Sequence, residues 1–336
     1  MSFQPTKFPS PIGGVPNPHD LAPSVVFAVL YALTIPLAVY RLASKNSRNL
    51  FIIASVIFAA ERVVDFSFRA AEAETPSMRT TKFWVGWLQS AYAMGFIGLA
   101  GDVGNIARAF LLKSTRAAEP PLNLLVSSDE ERAAFPKPDD RAATFAQYDG
   151  AGVREVFMDE PERRAWIERY GVVSLVMRLT ALTLGGVYSG LYFDGITDHA
   201  KAVTAQRMRY ASDIIVVVYL QLVKAVLIWA LFTRPKRVAR WPALFLMALC
   251  LLLSIPALYR LAAMANYTDS LLSMAPGSLN SPAAKTVFYT LHVAPEFVVG
   301  TLLLSVNVKK MFGFATWRGR ASGREGRWPP RGFLTY

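Results

Sequence analysis

The sequence predicts an all-α polytopic membrane protein, a seven-transmembrane-helix bundle with its N-terminus outside and its C-terminus in the cytosol. Three observations carry this expectation: apolar residues gather in blocks of about twenty, the length that spans a bilayer, basic residues crowd alternate connections, and aromatic residues mark block edges. The chain has 336 residues, 53% of them hydrophobic, and a mean hydropathy of +0.30. At about 1.5 Å per residue, a block of twenty crosses roughly 30 Å of hydrocarbon. Inside lipid each backbone N–H and C=O needs a partner within the protein. Long apolar blocks therefore read as helices, whereas a barrel would show short alternating strands.

Residues 1–23 form an extracellular N-terminus, polar and punctuated by Pro5, Pro9, Pro11, Pro16, Pro18 and Pro23. They lack the basic start and short apolar core of a cleavable signal. Helices 1–3 occupy 24–112, in blocks 24–43, 50–71 and 83–112. Helices 4–7 occupy 170–308, in blocks 170–193, 211–232, 241–263 and 284–308. The second and fourth blocks carry charges and make sense as helices packed within a bundle. The connection 113–169 contains Pro120, Pro121, Pro136 and Pro138 and reads as cytosolic and mostly irregular. Its end, Asp159 to Tyr170, should be helical, with Asp159 as cap, Pro161 in the first turn and Glu162 completing the capping pattern. Trp166 and Tyr170 would then lie on the membrane surface. The tail 309–336 carries Arg318, Arg320, Arg324, Arg327 and Arg331 and is expected to be disordered and attracted to anionic lipid.

Orientation follows from Lys and Arg. One set of connections holds Arg41, Lys45 and Arg48, then Lys113, Arg116, Arg163, Arg164 and Arg169, then Arg234, Lys236, Arg237 and Arg240, and last Lys309 and Lys310. The opposite set holds Lys7, then Arg79 and Lys82, then Lys201, Arg207 and Arg209, and none over 264–283. The first set is cytosolic by the positive-inside bias. Trp84, Trp87, Tyr188, Tyr192, Trp229 and Trp241 fall at block edges, where amphipathic rings favour the interface. The net charge of +12 and pI of about 9.9 would suit nucleic acid in a soluble protein. Here the excess abuts apolar blocks, which points to a bilayer and not to nucleic acid. Cys250 stands alone, so no intrachain disulfide forms.

Ionisable residues at membrane depth are costly and are candidates for function. Glu61, Asp65 and Arg69 share a helical face by their i, i+4, i+8 spacing. His292 and Glu296, again i and i+4, lie at a similar height, as does Arg260. This outer layer reads as an outward-facing polar pocket for ligand binding or proton relay. The alternative is a set of ion pairs fixing helix order, with Arg69 or Arg260 paired to Asp65. Nearer the cytosol, Asp102, Arg178 and Lys224 read as structural ion pairs, Asp102 with Arg178 or Lys224. Pro256 and Pro295 allow kinks beside the outer layer. Asn266-Tyr267-Thr268 is a glycosylation sequon close to the bilayer.

Absences narrow the function. A retinal-binding protein needs a lysine midway along its last helix, where Glu296 stands instead. The three histidines, His19, His199 and His292, form no zinc-binding pattern, and there is no Walker loop or G-x-S-x-G. The expectation is therefore no enzyme, no cofactor and no metal. The receptor signatures at the ends of helices 3 and 7 are not matched by Asn105 to Phe110 or by Pro295 to Val299.

The stretch Pro18 to Phe27, Glu61-Arg62-Val63-Val64, and Gly95-Phe96-Ile97 with Asp102 together resemble a family of uncharacterised fungal seven-transmembrane proteins, some labelled G-protein-coupled-receptor-like. The resemblance implies a fungal source and a seven-helix fold. A looser likeness, through Glu61 and Arg69, is to fungal lipid-translocating exporters, although the Glu–Arg spacing differs and the intervening Gly-Tyr is missing. Three readings follow: a receptor-like protein sensing a small or lipidic ligand and engaging a cytosolic signalling partner, a lipid or small-molecule transporter, and a membrane scaffold without ligand. The plasma membrane is the expected location.

Overall fold

The computed structural model describes residues 7–116 and 158–314. Of the expected irregular connection 113–169 and basic tail 309–336, residues 117–157 and 315–336, with the tail's anionic-lipid partner, lie outside the described residues, while Lys309 to Phe312 of the tail are helical. Within them the helices are α1 (Leu21–Ala43), α2 (Ile53–Glu74), α3 (Lys82–Ser114), α4 (Pro161–Tyr192), α5 (His199–Thr233), α6 (Arg240–Ala263), α7 (Pro282–Ser305) and the short α8 (Val308–Phe312). Local chemistry sets their ends. Asn17 and Asp20 form a reciprocal capping box ahead of α1, Asp198 accepts from the N–H groups of Ala200 and Lys201, and Ser281 accepts from that of Ala284. Gly313, at φ +61°, closes α8.

α3 is the central post, touching α2, α4, α5, α6 and α7. Of its apolar span 72% is buried, against 22% for that of α1. The remaining faces are apolar and exposed: Val25, Val29 and Leu33 on α1, and Val172, Val176 and Leu179 on α4. Such a belt belongs in lipid and not in water. Six helices are long and apolar enough to cross a membrane. α2 is the exception, with Glu61, Arg62, Asp65, Arg69, Glu72 and Glu74 in one helix. It packs against α1, α3 and α7 with most of those charges buried, so neighbours supply what lipid would not. The protein is an all-α polytopic membrane protein.

Several expected boundaries shift. α4 starts at Pro161, so the expected membrane-surface segment is instead the first turns of one 32-residue helix. Pro161 holds the first turn as expected, but Asp159 makes no cap and pairs with Arg164. Tyr170 is buried, while Trp166 stays half exposed, its ring tilted 42° to that of Trp229 at 5.2 Å. α5 begins a dozen residues before its apolar block, because Ala200, Ala202 and Ala205 favour helix and the last two pack inward. Tyr188 and Tyr192 are not interface anchors. They are buried, and donate to Gln89 Oε1 (2.7 Å) and to the Pro9 carbonyl (2.9 Å).

The N-terminal segment is the largest departure. β1 (Phe8–Pro9) pairs antiparallel with β2 (Tyr267–Thr268) in the α6–α7 connection. Phe8, Ser10, Ile12 and Val15 are buried across the helix ends. The Ile12 N–H donates to Gln89 Oε1 (2.9 Å) and that of Val15 to Asn280 Oδ1 (2.8 Å). Gly13 and Gly14 turn the chain at φ +72° and +63°, where a Cβ would also strike Phe288 or the Leu279 carbonyl. The segment is a plug, not a loose arm.

Candidate functional site

The plugged half of the bundle holds a buried polar interior. On α2 the inward face runs through Arg62, Asp65, Arg69 and Glu72, at i, i+3, i+7 and i+10, all buried. Glu61 is only half-buried and makes no hydrogen bond or ion pair among the described residues. Two of the three residues expected on this face, Asp65 and Arg69, are on it, Glu61 lies at its edge, and Arg62 and Glu72 are the groups left out.

Arg62 organises the deepest cluster. Its Nη1 donates to Asp65 Oδ2 and its Nη2 to Glu296 Oε2, both at 2.9 Å. Asp65 Oδ1 accepts from Trp87 Nε1 at 2.8 Å. The guanidinium lies 4.5 Å from the Phe58 ring centroid, a cation–π contact in a dry site. His292 Nδ1 stands 3.6 Å from Glu296 Oε1, beside the rings of Tyr92, Tyr259 and Phe288. Neither His292 nitrogen nor Glu296 Oε1 has a hydrogen-bond partner among the described residues.

One layer toward the plug, Arg69 binds Asp20 and not Asp65. Its Nη2 reaches Asp20 Oδ1 at 2.7 Å and the Gly13 carbonyl at 2.6 Å, and its Nε donates to Tyr289 Oη at 2.9 Å. Lys285 Nζ completes the layer, 2.8 Å from Asp20 Oδ2 and donating to the carbonyls of Gly13 (3.0 Å) and Val15 (2.6 Å). Arg260 also avoids Asp65. It pairs with Asp213 at 2.8 Å and donates to the Tyr92 carbonyl. Arg209 donates to the Ser10 carbonyl at 2.9 Å. The buried charges of this half comprise Arg62, Arg69, Arg209, Arg260 and Lys285 against Asp20, Asp65, Glu72, Asp213 and Glu296, five of each sign. Formal charge is balanced, which low-dielectric burial demands.

α7 carries a local distortion here. Tyr289–Val293 form a π turn one step before Pro295. Proline has no N–H for the carbonyl four residues back and its ring crowds that carbonyl, so the helix widens. Tyr289 and His292, both in this turn, face the two polar layers. Beside it a concavity of about 270 Å³ opens between α1 and α7, lined in part by His19, Pro23, Lys285 and Tyr289.

The inner residues are arranged differently from expectation. Asp102 accepts from the Ser55 N–H (2.7 Å) and Ser55 Oγ (2.6 Å), and makes no ion pair among the described residues. Arg178 lies over Gly101, where a missing Cβ leaves room for its guanidinium. Lys224 is half-buried on α5. Pairing inferred from matched depth ignored the serine one turn into α2. At the sequon, Asn266 Nδ2 donates to the Ala263 carbonyl (3.0 Å), and Thr268 is buried with its hydroxyl donating to the Ser270 carbonyl (2.7 Å). Among the described residues no group of three or more His, Cys, Asp or Glu could hold a metal ion.

The structure therefore brings Asp65, His292 and Glu296 together, sets Arg69 and Arg260 in adjoining pairs, and leaves Glu61 aside. Sequence reasoning missed Asp20, Arg62, Glu72, Asp213, Lys285 and Tyr289. Arg62 and Glu72 were available from i, i+3, i+7, i+10 spacing, whereas Asp20 and Lys285 depend on the plug and had no local signal. No family model, curated protein or solved structure matches the chain.

Proposed function

We propose that this integral membrane protein is a receptor-like seven-helix bundle, N-terminus outside and C-terminus in the cytosol, that senses a small or lipidic ligand from its outer half. The observation that carries the reading is the concavity between α1 and α7. Two of its lining residues, Lys285 and Tyr289, also hold the Asp20–Arg69 layer, and Tyr289 opens the π turn that sets His292 against Glu296. A ligand seated there would shift α7 and with it the Arg62 cluster that ties α7 to α2. The equal count of buried charges favours an uncharged or zwitterionic amphiphile, because a net charge would upset the balance. The plug covers the axial route, which favours approach beside α1 and α7 from the lipid.

In this reading the ion pairs also fix helix order, so the structural role accompanies the sensing one. The absence of catalytic signatures in the sequence supports a non-enzymatic role, and the basic connections support the stated orientation and crossing by all seven long helices. The fungal resemblance is compatible with the same assignment. Glu296→Gln tests it, since Arg62 keeps Asp65 as a full counter-charge and the bundle should fold. Proximity labelling in cells should find a cytosolic protein at connection 234–240, recruited differently by Glu296→Gln at unchanged folded yield. If purified protein alone moves fluorescent phosphatidylcholine across liposomes and Glu296→Gln stops it, the protein is a transporter. Neither behaviour would leave a scaffold.

A further inference from the structure

At the pole opposite the plug lies a concavity of about 340 Å³, formed where the end of α3, the α5–α6 connection and α8 meet. Its charged lining side chains are Lys113, Arg116, Lys236, Arg237 and Lys310, with no acid in the lining among the described residues. Glu160 approaches from outside and pairs with Arg237 at 2.8 Å and Arg234 at 3.3 Å. Lys113 Nζ donates to the carbonyls of Phe312 and Gly313, which draws its charge to the end of α8. One wall is aromatic, with Phe110 and Phe312 edge to face at 5.5 Å.

The contrast with the plugged half is physical. There, five buried cations meet five acids. Here, Lys113 and Arg116 at the end of α3 converge with Lys310 of α8 on one hollow, and their mutual repulsion opposes closing it. Walls of low dielectric concentrate the field of a one-signed cleft. Lysine and arginine together favour phosphate, whose several oxygens accept charge-assisted hydrogen bonds from both. The aromatic wall suits the carbon skeleton that carries the phosphate. In a bilayer spanned by α3, the end of that helix would put the site near headgroup depth.

We propose that this pocket binds a phosphorylated anion, its phosphates held by Lys113, Arg116 and Lys310 and its carbon skeleton against Phe110 and Phe312. The same chemistry is offered by a phosphoinositide headgroup and by a free polyphosphate. That this pole faces the cytosol rests on the orientation proposed above. Nanodiscs expose both poles, so binding tests the pocket independently of that orientation.

The test uses the full chain in phosphatidylcholine nanodiscs. Phosphatidylinositol bisphosphate is added to the bilayer in one arm, inositol hexakisphosphate is titrated in solution in another, and phosphatidylserine at matched charge is the control. The pocket variant is R116Q with K310Q, both exposed positions that spare the Lys113 contacts. The comparison variant is R318Q with R320Q in the tail. Wild type should bind a phosphorylated probe at least about tenfold more tightly than phosphatidylserine, and the pocket variant should lose about tenfold at unchanged thermal midpoint. The tail variant should lose far less. Binding in the lipid arm alone assigns a headgroup, in the soluble arm alone a free phosphorylated compound, and in both the phosphate groups themselves. The proposal is overturned if neither probe binds, if phosphatidylserine binds equally, or if the pocket variant binds like wild type.

Discussion

Arg62 shows how much one side chain can hold. It is fully buried and is the shared cation of Asp65 and Glu296. Arg62→Gln would leave two carboxylates in a dry interior with one hydrogen-bond donor group between them. Breaking a buried pair of this kind costs about 3–5 kcal/mol. The expected outcome is a large fall in thermal midpoint in detergent, partly recovered by adding Asp65→Asn and Glu296→Gln. Gly104 makes a smaller test of packing. A Cβ there would collide with the hydroxyl of Tyr219, which is buried and has no hydrogen-bond partner among the described residues. Gly104→Ala should destabilise by about 1–3 kcal/mol, and the double change with Tyr219→Phe should recover part of the midpoint, since the ring carbon Cζ would still lie 2.8 Å from the new Cβ. At this scale the sequence was partly legible. Charge at membrane depth singled out Asp65, Arg69, Arg260, His292 and Glu296 because lipid makes such residues expensive. Partner identity was not legible, since a guanidinium long enough to reach several acids is assigned by rotamer and packing, and Arg69 went to Asp20 while Arg260 went to Asp213.

Among elements, α7 is the most informative. Pro295 was visible as a kink, but the π turn over Tyr289–Val293 depends on where the displaced carbonyls find room. Pro295→Ala supplies the missing N–H and should let the helix regularise. Slower hydrogen exchange over 289–295 with thermal stability retained is the expected result, together with altered partner recruitment as Tyr289 leaves Asp20. The α4–α5 connection offers a pH test outside the membrane. The hydrogen bond and charge of Lys82 hold the Asp194 carboxyl below the usual carboxylate range, with Lys201 adding to it. Because the folded state lowers this pKa, the contribution is complete above the ordinary carboxylate pKa. It is lost as pH falls through the lowered value. A small acid-side loss of stability, absent in Asp194→Asn, should appear in melts between neutral and strongly acidic pH. The seven long helices were readable from apolar blocks, whereas the early starts of α4 and α5 were not, nor was α8, which lies in the tail expected to be disordered. Outside lipid, helices are extended by alanine-rich and capped polar turns that hydropathy does not register.

For the molecule as a whole, two arrangements coexist. The plugged half is neutral inside, and the opposite pole gathers positive charge. Nothing in the first twenty residues announced the plug, because its strand is two residues long and its partners are distant in sequence, from Gln89, 77 positions from Ile12, to Asn280, 265 positions from Val15. A deletion of residues 1–16 should leave Arg209, Lys285 and Gln89 without the carbonyls and N–H groups they now hold. Each abandoned buried polar group costs about 1–3 kcal/mol, so a lower thermal midpoint and faster exchange at the ends of α3, α5 and α7 are expected.

The plug also imposes an order on biogenesis. Residues 8–16 leave the ribosome before α1, yet their hydrogen-bond partners include Asn266, Gly277, Asn280 and Lys285. The segment must wait, outside the closing bundle, until α7 has been inserted. Loop closure over such a separation is entropically slow compared with pairing of neighbouring helices. Chains arrested after α6 should therefore remain open to protease near residues 8–16, while completed chains resist, so the seal doubles as a checkpoint that the last helix is home.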